Sequence, residues 1–434
     1  MKNKIYLFIF TVDKLFIFLQ YLYLKLFKKE KYNYRLFHGG WGYLVKGIFS
    51  LSYLNKKNKK KLVILDFNIL NQSIEKCLND INIYKIYSIF KILNLTFDQY
   101  PKKFKDEIKT FSSNIFYEYS DLLLLLYNKN DQDKVFYKRE ILSDYVRAEI
   151  LKEPRYAHFF NHLNDQSYKK KKKPFFTLRK KHLKKFENLI GFKKKILEKK
   201  SINICIRLRN KNYKLDPKRS NTLRDGNLES YKYIINYLLK NSNYILFITG
   251  DCDEIDIKNK DLIYYNKVKN KISKDFFQIG IQTLSRYHIM SLSGANQIMR
   301  YNNCKFLYTD CWPPMVLSAN SVLLYKNISF KRKIIKLNDY VNNYFKDLKN
   351  GSKIDPFKTS YTNYIKYFEA NKYLITKNTK KQISISIVEF MKLIKEEQSN
   401  RYFMNKLFHM FPKIYQKTLI KNKCLLSSGN FINK

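Results

Sequence analysis

Two rhythms of apolar positions alternate along this chain. Short apolar runs of strand length are each followed by a polar loop, then by a stretch whose apolar residues return every three or four positions. Ile202–Leu208 is one such run, with Arg207 and Arg209 at its end. Asn227 then stands where a helix N-cap would, before Leu228, Tyr231, Ile235, Leu238 and Leu239 at helical spacing. Tyr244–Ile248 is a second run and ends in Thr249-Gly250-Asp251. Strand, helix and strand of this length predict a parallel pair joined by a right-handed crossover. The rhythm continues with a helix over Lys274–Ser285 and a strand over Tyr287–Met290 ending in Ser291-Leu292-Ser293-Gly294. A helix over Gly294–Tyr301 and a strand over Lys305–Tyr308 follow, the latter running into Thr309-Asp310-Cys311-Trp312-Pro313-Pro314. Four successive strands ending in polar loops predict a doubly wound α/β domain, whose ligands sit beyond the carboxyl ends of the strands.

The N-terminal half carries a second beginning of the same kind. Tyr34–Phe37 reads as a strand, His38-Gly39-Gly40-Trp41-Gly42 as a turn, Tyr43–Leu54 as a helix and Lys61–Phe67 as a strand. Gly39, Gly40 and Gly42 would let backbone N–H groups approach a ligand, or they serve the tight turn alone. Ser120–Lys129 is an apolar core helix. The lysine run Lys169–Lys173, followed by Pro174, reads as a solvated boundary before a basic helix over Leu178–Ile190. The expected fold is α/β, with two Rossmann-like domains facing a cleft. They span 34–173 and 174–337, with a helical extension over 338–434. The periodic segment Ile383–Ile394 marks that extension.

Composition adds a strong positive charge. Lysine and arginine number 84 against 36 acidic residues, a net +48. Heavy use of Lys, Asn, Ile, Tyr and Phe is also what A/T-rich codons give. Either way the charge favours anionic lipid surfaces and phosphorylated ligands. It is spread along the chain without a nucleic-acid-binding motif, which argues against a specific nucleic-acid partner. The six cysteines are scattered, with no CxxC and no zinc spacing. Neither a disulfide framework nor a structural metal is indicated, and a reducing cytoplasm follows. Near the N-terminus, Ile5–Val12 and Leu15–Phe27 are apolar, but Asp13-Lys14 and Lys25 interrupt them. The pieces are too short to span a bilayer. Residues 1–33 read instead as an amphipathic segment on an anionic membrane surface, peripheral to the inner face of the cytoplasmic membrane.

The candidate chemistry gathers at the strand ends of the second domain. Arg207 and Arg209 lie two apart, on one strand face. A guanidinium stays charged and binds phosphate bidentately. Arg224 and the helix start at Asn227 would add to a phosphate cradle, and Ser291, Ser293 and Gly294 offer hydroxyls and N–H groups at the next strand end. Asp251-Cys252-Asp253 spells DxD, a pattern that can hold a divalent metal. In a doubly wound domain Asp251 instead orients donor hydroxyls or caps the loop. His158, His162 and His288 are possible bases but read as packed or surface histidines. No GxSxG elbow and no Walker motif is present, which argues against hydrolases and NTPases.

Together, Arg207-Leu208-Arg209-Asn210, Arg224-Asp225-Gly226-Asn227 with Tyr231, Gly250-Asp251, Ser293-Gly294 and Trp312-Pro313-Pro314 resemble, in order and spacing, a known family. This is the family of bacterial glycosyltransferases of surface-carbohydrate gene clusters, with a more remote resemblance to α-1,6-fucosyltransferase-type enzymes. The resemblance covers Phe175–Lys326. It implies a GT-B-like architecture, with residues 34–173 on the acceptor side and 174–337 on the donor side. It implies metal-independent, inverting transfer from a nucleotide-sugar to a surface glycan or lipid-linked glycan, with no further cofactor. Arg209 and Arg207 would be catalytic, and Arg224, Asp225, Asn227, Tyr231, Gly250, Asp251, Ser291, Ser293 and Gly294 would bind the donor. Two positions depart from the pattern: the family's His falls on Arg207, and its Asp on Asn210. These departures motivate an alternative, a non-catalytic carbohydrate- or membrane-surface-binding protein on a degenerate scaffold.

Overall fold

The computed structural model of the 434-residue chain describes residues 12, 15–16, 19–20, 23, 32–36, 61–66, 83–87, 176–206, 226–250, 255–291, 298–299, 302, 304–312, 320–331, 333–349, 368–395, 410–411, 413, 416, 419–420 and 424–432. The chain divides into two compact units, Met1–Val146 and Arg147–Lys434.

In the first unit, β1 (Tyr32–Leu36), β2 (Lys61–Asp66) and β3 (Ile83–Tyr87) form a parallel sheet in the order β1-β2-β3. The expected strands at Tyr34–Phe37 and Lys61–Phe67 are β1 and β2, and β3 is a third that the sequence reading passed over. The glycine turn at 38–42, the helices expected at 43–54 and 120–129, and the lysine run at 169–173 lie outside the described residues. No described helix is long and apolar enough to cross a membrane.

The second unit is built on seven parallel strands. They are β4 (Ser201–Ile206), β5 (Ile245–Gly250), β6 (Leu262–Tyr264), β7 (Tyr287–Met290), β8 (Lys305–Cys311), β9 (Ser321–Tyr325) and β13 (Cys424–Leu426). Their order is β13-β9-β8-β7-β4-β5-β6. The chain starts at β4, runs outward through β5 to β6, then returns across β4 to β7 and runs outward on the other side. This is the dinucleotide-fold strand order, and its direction reverses between β4 and β7.

Alternation along each strand explains why both faces are covered. Ile202, Ile204 and Ile206 of β4 pack with Ile248, Ile289 and Leu307 on one face. Cys205, Met290, Phe306 and Tyr308 take the other. Helix α3 (Leu228–Asn241) and helix α6 (Lys380–Lys395) seal the first face with Ile234, Ile235, Leu238, Ile383, Ile387 and Phe390. Helix α5 (Leu337–Lys349) adds Tyr340, Val341 and Tyr344 to the second. Helices α1 (Lys180–Ile190), α2 (Lys194–Lys200) and α4 (Lys274–Leu284) pack beside β4 and β5. A small antiparallel sheet of β10 (Asn327–Phe330), β11 (Lys333–Ile335) and β12 (Leu374–Thr376) completes the unit.

The segment after 337, read from sequence as a helical extension, also supplies strands. Strand β13 pairs parallel with β9, and Asn430 continues that pairing with its side chain. The Asn430 amide accepts from the Tyr325 N–H and donates to the Leu323 carbonyl. Helix α6 lies on β8 and β9 and is fixed at both ends. Thr379 and Gln382 cap its start reciprocally, and Lys305 at the start of β8 donates to the Leu393 carbonyl near its end. A three-residue strand is too short to show a period in sequence, which is why β13 was not foreseen.

Close approach of α4 to α1 requires one glycine. A Cβ on Gly280 would lie 2.0 Å from the fully buried Phe186 ring. Gly280→Ala should therefore cost about 1–3 kcal/mol of stability through overpacking, read as a lowered urea midpoint. An unchanged midpoint would mean that the two helices are less tightly packed than the structure has them.

Candidate functional site

Several polar groups of this unit stand at the carboxyl edge of the seven-stranded sheet. At the end of β5, Gly250 pairs with Ile206, the last residue of β4. Its φ of 87° is left-handed, and a Cβ there would lie 2.0 Å from the Ile206 carbonyl oxygen. Glycine is thus required both by conformation and by the closeness of two strand ends. Arg207 follows Ile206 directly in sequence.

Helix α3 reaches over this edge. Asn227 is its N-cap, as expected, with the side chain accepting from the Glu229 N–H at 3.3 Å. Tyr231, one turn on, is fully buried, and its hydroxyl accepts from the Ser291 N–H at 2.8 Å. Two expected site residues therefore meet, one on α3 and one just past β7. Burial pushes the Tyr231 phenol well above its ordinary range, so it remains a neutral hydrogen-bonding group.

Asp310, near the end of β8, was not among the expected site residues. It is 3 % exposed and adopts a left-handed φ of 51°, at a shift of register between Tyr308 and Cys311 in the β8–β9 pairing. One carboxylate oxygen accepts from the Asn227 N–H at 3.4 Å, and the other from Asn378 Nδ2 at 3.0 Å. Asn378 precedes the N-cap of α6, so Asp310 stands where two helices begin. Burial raises its pKa above the ordinary aspartate value. Lys326, the Asn227 N–H, Asn378 and Lys377 pull in the opposite direction. The sequence signal was an acid at a strand's carboxyl end, but its partner Asn378 is remote along the chain. The Asn227 N–H, which the sequence offered to a phosphate, is engaged by this carboxyl.

His288 is no base. It sits within β7, fully buried, and stacks on Phe306. Its Nε2–H donates to the Ser285 carbonyl at 2.8 Å, which leaves Nδ1 to accept from Asn203 Nδ2 at 3.1 Å. Thr249 Oγ1 donates to Asn203 Oδ1 at 2.9 Å. This row ties β5, β4 and β7 together. Burial lowers the His288 pKa to about 3, against the Ser285 hydrogen bond, which raises it. Among the described residues the cysteines Cys205, Cys304, Cys311 and Cys424 are buried and form no disulfide, and no group of three His, Cys, Asp or Glu could hold a metal. Arg207, Arg209, Arg224, Asp225, Asp251, Ser293, Gly294, Gly39, Gly40, Gly42, His158 and His162 lie outside the described residues.

No family model and no curated protein matches the chain by sequence. Among solved structures it is similar to the NodZ α-1,6-fucosyltransferase soaked with GDP-fucose, at 10 % identity over 65 % of this chain and 95 % of that one, with a TM-score of 0.33. It is similar to the selenomethionine form of NodZ from Bradyrhizobium at 11 % identity over 65 % and 95 %, with a TM-score of 0.34. It is also similar to a family 9 glycosyltransferase from Veillonella parvula at 12 % identity over 78 % and 96 %, with a TM-score of 0.39. The sheet order and the strand-end residues, rather than these likenesses, carry the functional reading.

Two pH-linked outcomes follow from the buried groups. Because the folded pKa of His288 is depressed, the unfolded chain protonates first as pH falls below about 6.5. Stability is then lost between about 6.5 and 3 at up to about 1.4 kcal/mol per pH unit. Urea midpoints of His288→Gln should lack this component, and identical pH slopes in both proteins would contradict the buried neutral imidazole. Asp310 works the other way. Its raised pKa means that stability is lost as pH rises from the unfolded value through the folded one. Asp310→Asn, which tolerates the left-handed backbone and can still accept from Asn227, should remove that loss. Asp310→Ala should instead cost about 1–3 kcal/mol by stranding the Asn227 and Asn378 donors. Equal midpoints for the two variants would show that the carboxyl does not bind these donors.

Proposed function

We propose that the chain is a glycosyltransferase that moves a sugar from a nucleotide-sugar to a glycan or lipid-linked glycan acceptor. The observation that supports this most is the reversal of strand order between β4 and β7. In open α/β sheets the ligand crevice opens at the carboxyl ends of the strands where the order reverses. Here β4 runs directly into Arg207-Leu208-Arg209, β7 into Ser291-Leu292-Ser293-Gly294, and β5 ends at Gly250. The sugar–phosphate chemistry fits these residue types. As the acceptor hydroxyl attacks the anomeric carbon and releases its proton to solvent, the bond to the phosphate oxygen breaks and the nucleoside diphosphate leaves with the electron pair. Fixed cations and N–H donors are what that developing charge requires. Arg209 stabilises the departing diphosphate with Arg207 assisting, Arg224, Asp225 and Asp251 complete the donor site, and no metal takes part. Residues 34–173 are the acceptor side in this reading, and Gly39, Gly40 and Gly42 offer backbone N–H groups to a ligand.

A panel of nucleotide-sugars that includes GDP-fucose, read by thermal shift, tests donor binding, because a ligand that binds only the folded state raises the melting temperature by mass action. With the stabilising donor in hand, Arg209→Lys keeps the charge but loses the bidentate fork. It should lower turnover roughly ten- to thousand-fold with the fold intact, and activity should persist in a chelator. Nucleotide binding without turnover would favour the degenerate scaffold that Arg207 and Asn210 suggest. Full activity in Arg209→Ala would move the site elsewhere.

A further inference from the structure

The first unit exposes an apolar face that a water-soluble helix ordinarily buries. The described residues 12, 15, 16, 19, 20 and 23 are helical. Val12 is 39 % exposed, Leu15 58 %, Leu19 52 % and Tyr23 53 %. At about 100° per residue these four side chains fall within an arc of about 80°. Phe16 and Gln20, beside that arc, are the half-buried ones, and Gln20 Nε2 donates back to the Phe16 carbonyl. Among the described residues of this helix, the aliphatic side chains are the ones turned to solvent. Exposed leucines are unremarkable singly, but a row of them on one helix face marks an interaction surface.

We propose that this row is the insertion face of a helix that lies on anionic bilayers. Charge complementarity selects this occupant. Within residues 1–30 the lysines at 2, 4, 14, 25, 28 and 29 face only Asp13 and Glu30 as acidic residues, and the whole chain carries +48. Aliphatic side chains on one arc, with lysines along the same stretch, are the two components of interfacial binding: burial at the acyl boundary and attraction to acidic headgroups. In the sequence Asp13-Lys14 and Lys25 interrupt the apolar run, which favours a helix along the surface over one that spans. A tyrosine at one end of the row suits the headgroup level. This inference does not depend on the glycosyltransferase reading, and its test uses no nucleotide.

The test is co-sedimentation of the full chain with vesicles of phosphatidylcholine alone or with about 30 % phosphatidylglycerol. The full chain should partition roughly ten-fold or more in favour of the anionic vesicles, and salt should release only part of it. A general attraction of a basic protein to an acidic surface is separated by Leu15→Ser/Leu19→Ser, which changes no charge. These side chains are exposed, so the variant should melt with the parent, and its binding in high salt should fall to the phosphatidylcholine level. Leu374→Ser, which alters a 60 % exposed leucine in the second unit, should bind like the parent. If Leu15→Ser/Leu19→Ser bound as well as the parent at every salt concentration, net charge alone would explain the binding and the insertion face would be refuted. If the parent sedimented without lipid as a dimer and the double variant as a monomer, the row would be an interface between copies, which also overturns the proposal.

Discussion

The second unit depends on the burial of β4. All six of its residues are inaccessible to solvent, so every backbone group must find a partner within the sheet and every side chain a neighbour on one face or the other. Parallel partners on both sides, β5 and β7, meet the first demand. Helices on both faces meet the second. From this the strand order follows: a right-handed crossover through α3 delivers β5 on one side of β4, and the chain must then pass to the other side to build β7. The reversal of strand order is therefore a consequence of placing the first strand of the sheet in its interior.

That strand carries polar side chains, and they fix how it pairs. Asn203 lies opposite His288 on β7 and beside Thr249 on β5, with each potential donor matched to an acceptor. A slip of register would leave several buried polar groups unpaired at about 1–3 kcal/mol each. An apolar strand of isoleucines has no such penalty, since shifted isoleucines still meet apolar neighbours. The Asn203–Thr249–His288 row thus specifies alignment where hydrophobic packing alone would tolerate alternatives. It also accounts for a histidine in the core, which is held neutral by burial and used through both ring nitrogens.

Much of this was legible locally. Tyr287–Met290 was read to the residue because an apolar run bounded by polar loops has one reading at that length. Asn227 was legible as an N-cap because its side chain is one of the few that satisfies a free helix N–H. The remainder depends on contacts distant along the chain. Nothing in Cys424–Leu426 announces that it will pair with Ser321–Tyr325. Asp310 reads as one polar residue in a loop. Its left-handed backbone and its bond to Asn378 arise only when α6 is folded back over the sheet. Of the anticipated site, the structure joins Tyr231 to Ser291 and explains Gly250 by its backbone, while the arginines are known from sequence alone.

The carboxyl edge differs from the rest of the sheet in a way that bears on what it can do. Among the described residues, Gly250 closing β5 and Asp310 near the end of β8 are left-handed there. A non-glycine residue in that conformation costs of order 1–3 kcal/mol and persists only where its surroundings over-determine it. The surroundings of Asp310 are the starts of α3 and α6, whose partial positive charge favours a carboxylate, while burial opposes the ionised form. Burial prevails, so the folded chain keeps this carboxyl protonated to higher pH than the unfolded chain does. The same carboxyl holds the first turn of α3, from which Tyr231 reaches Ser291.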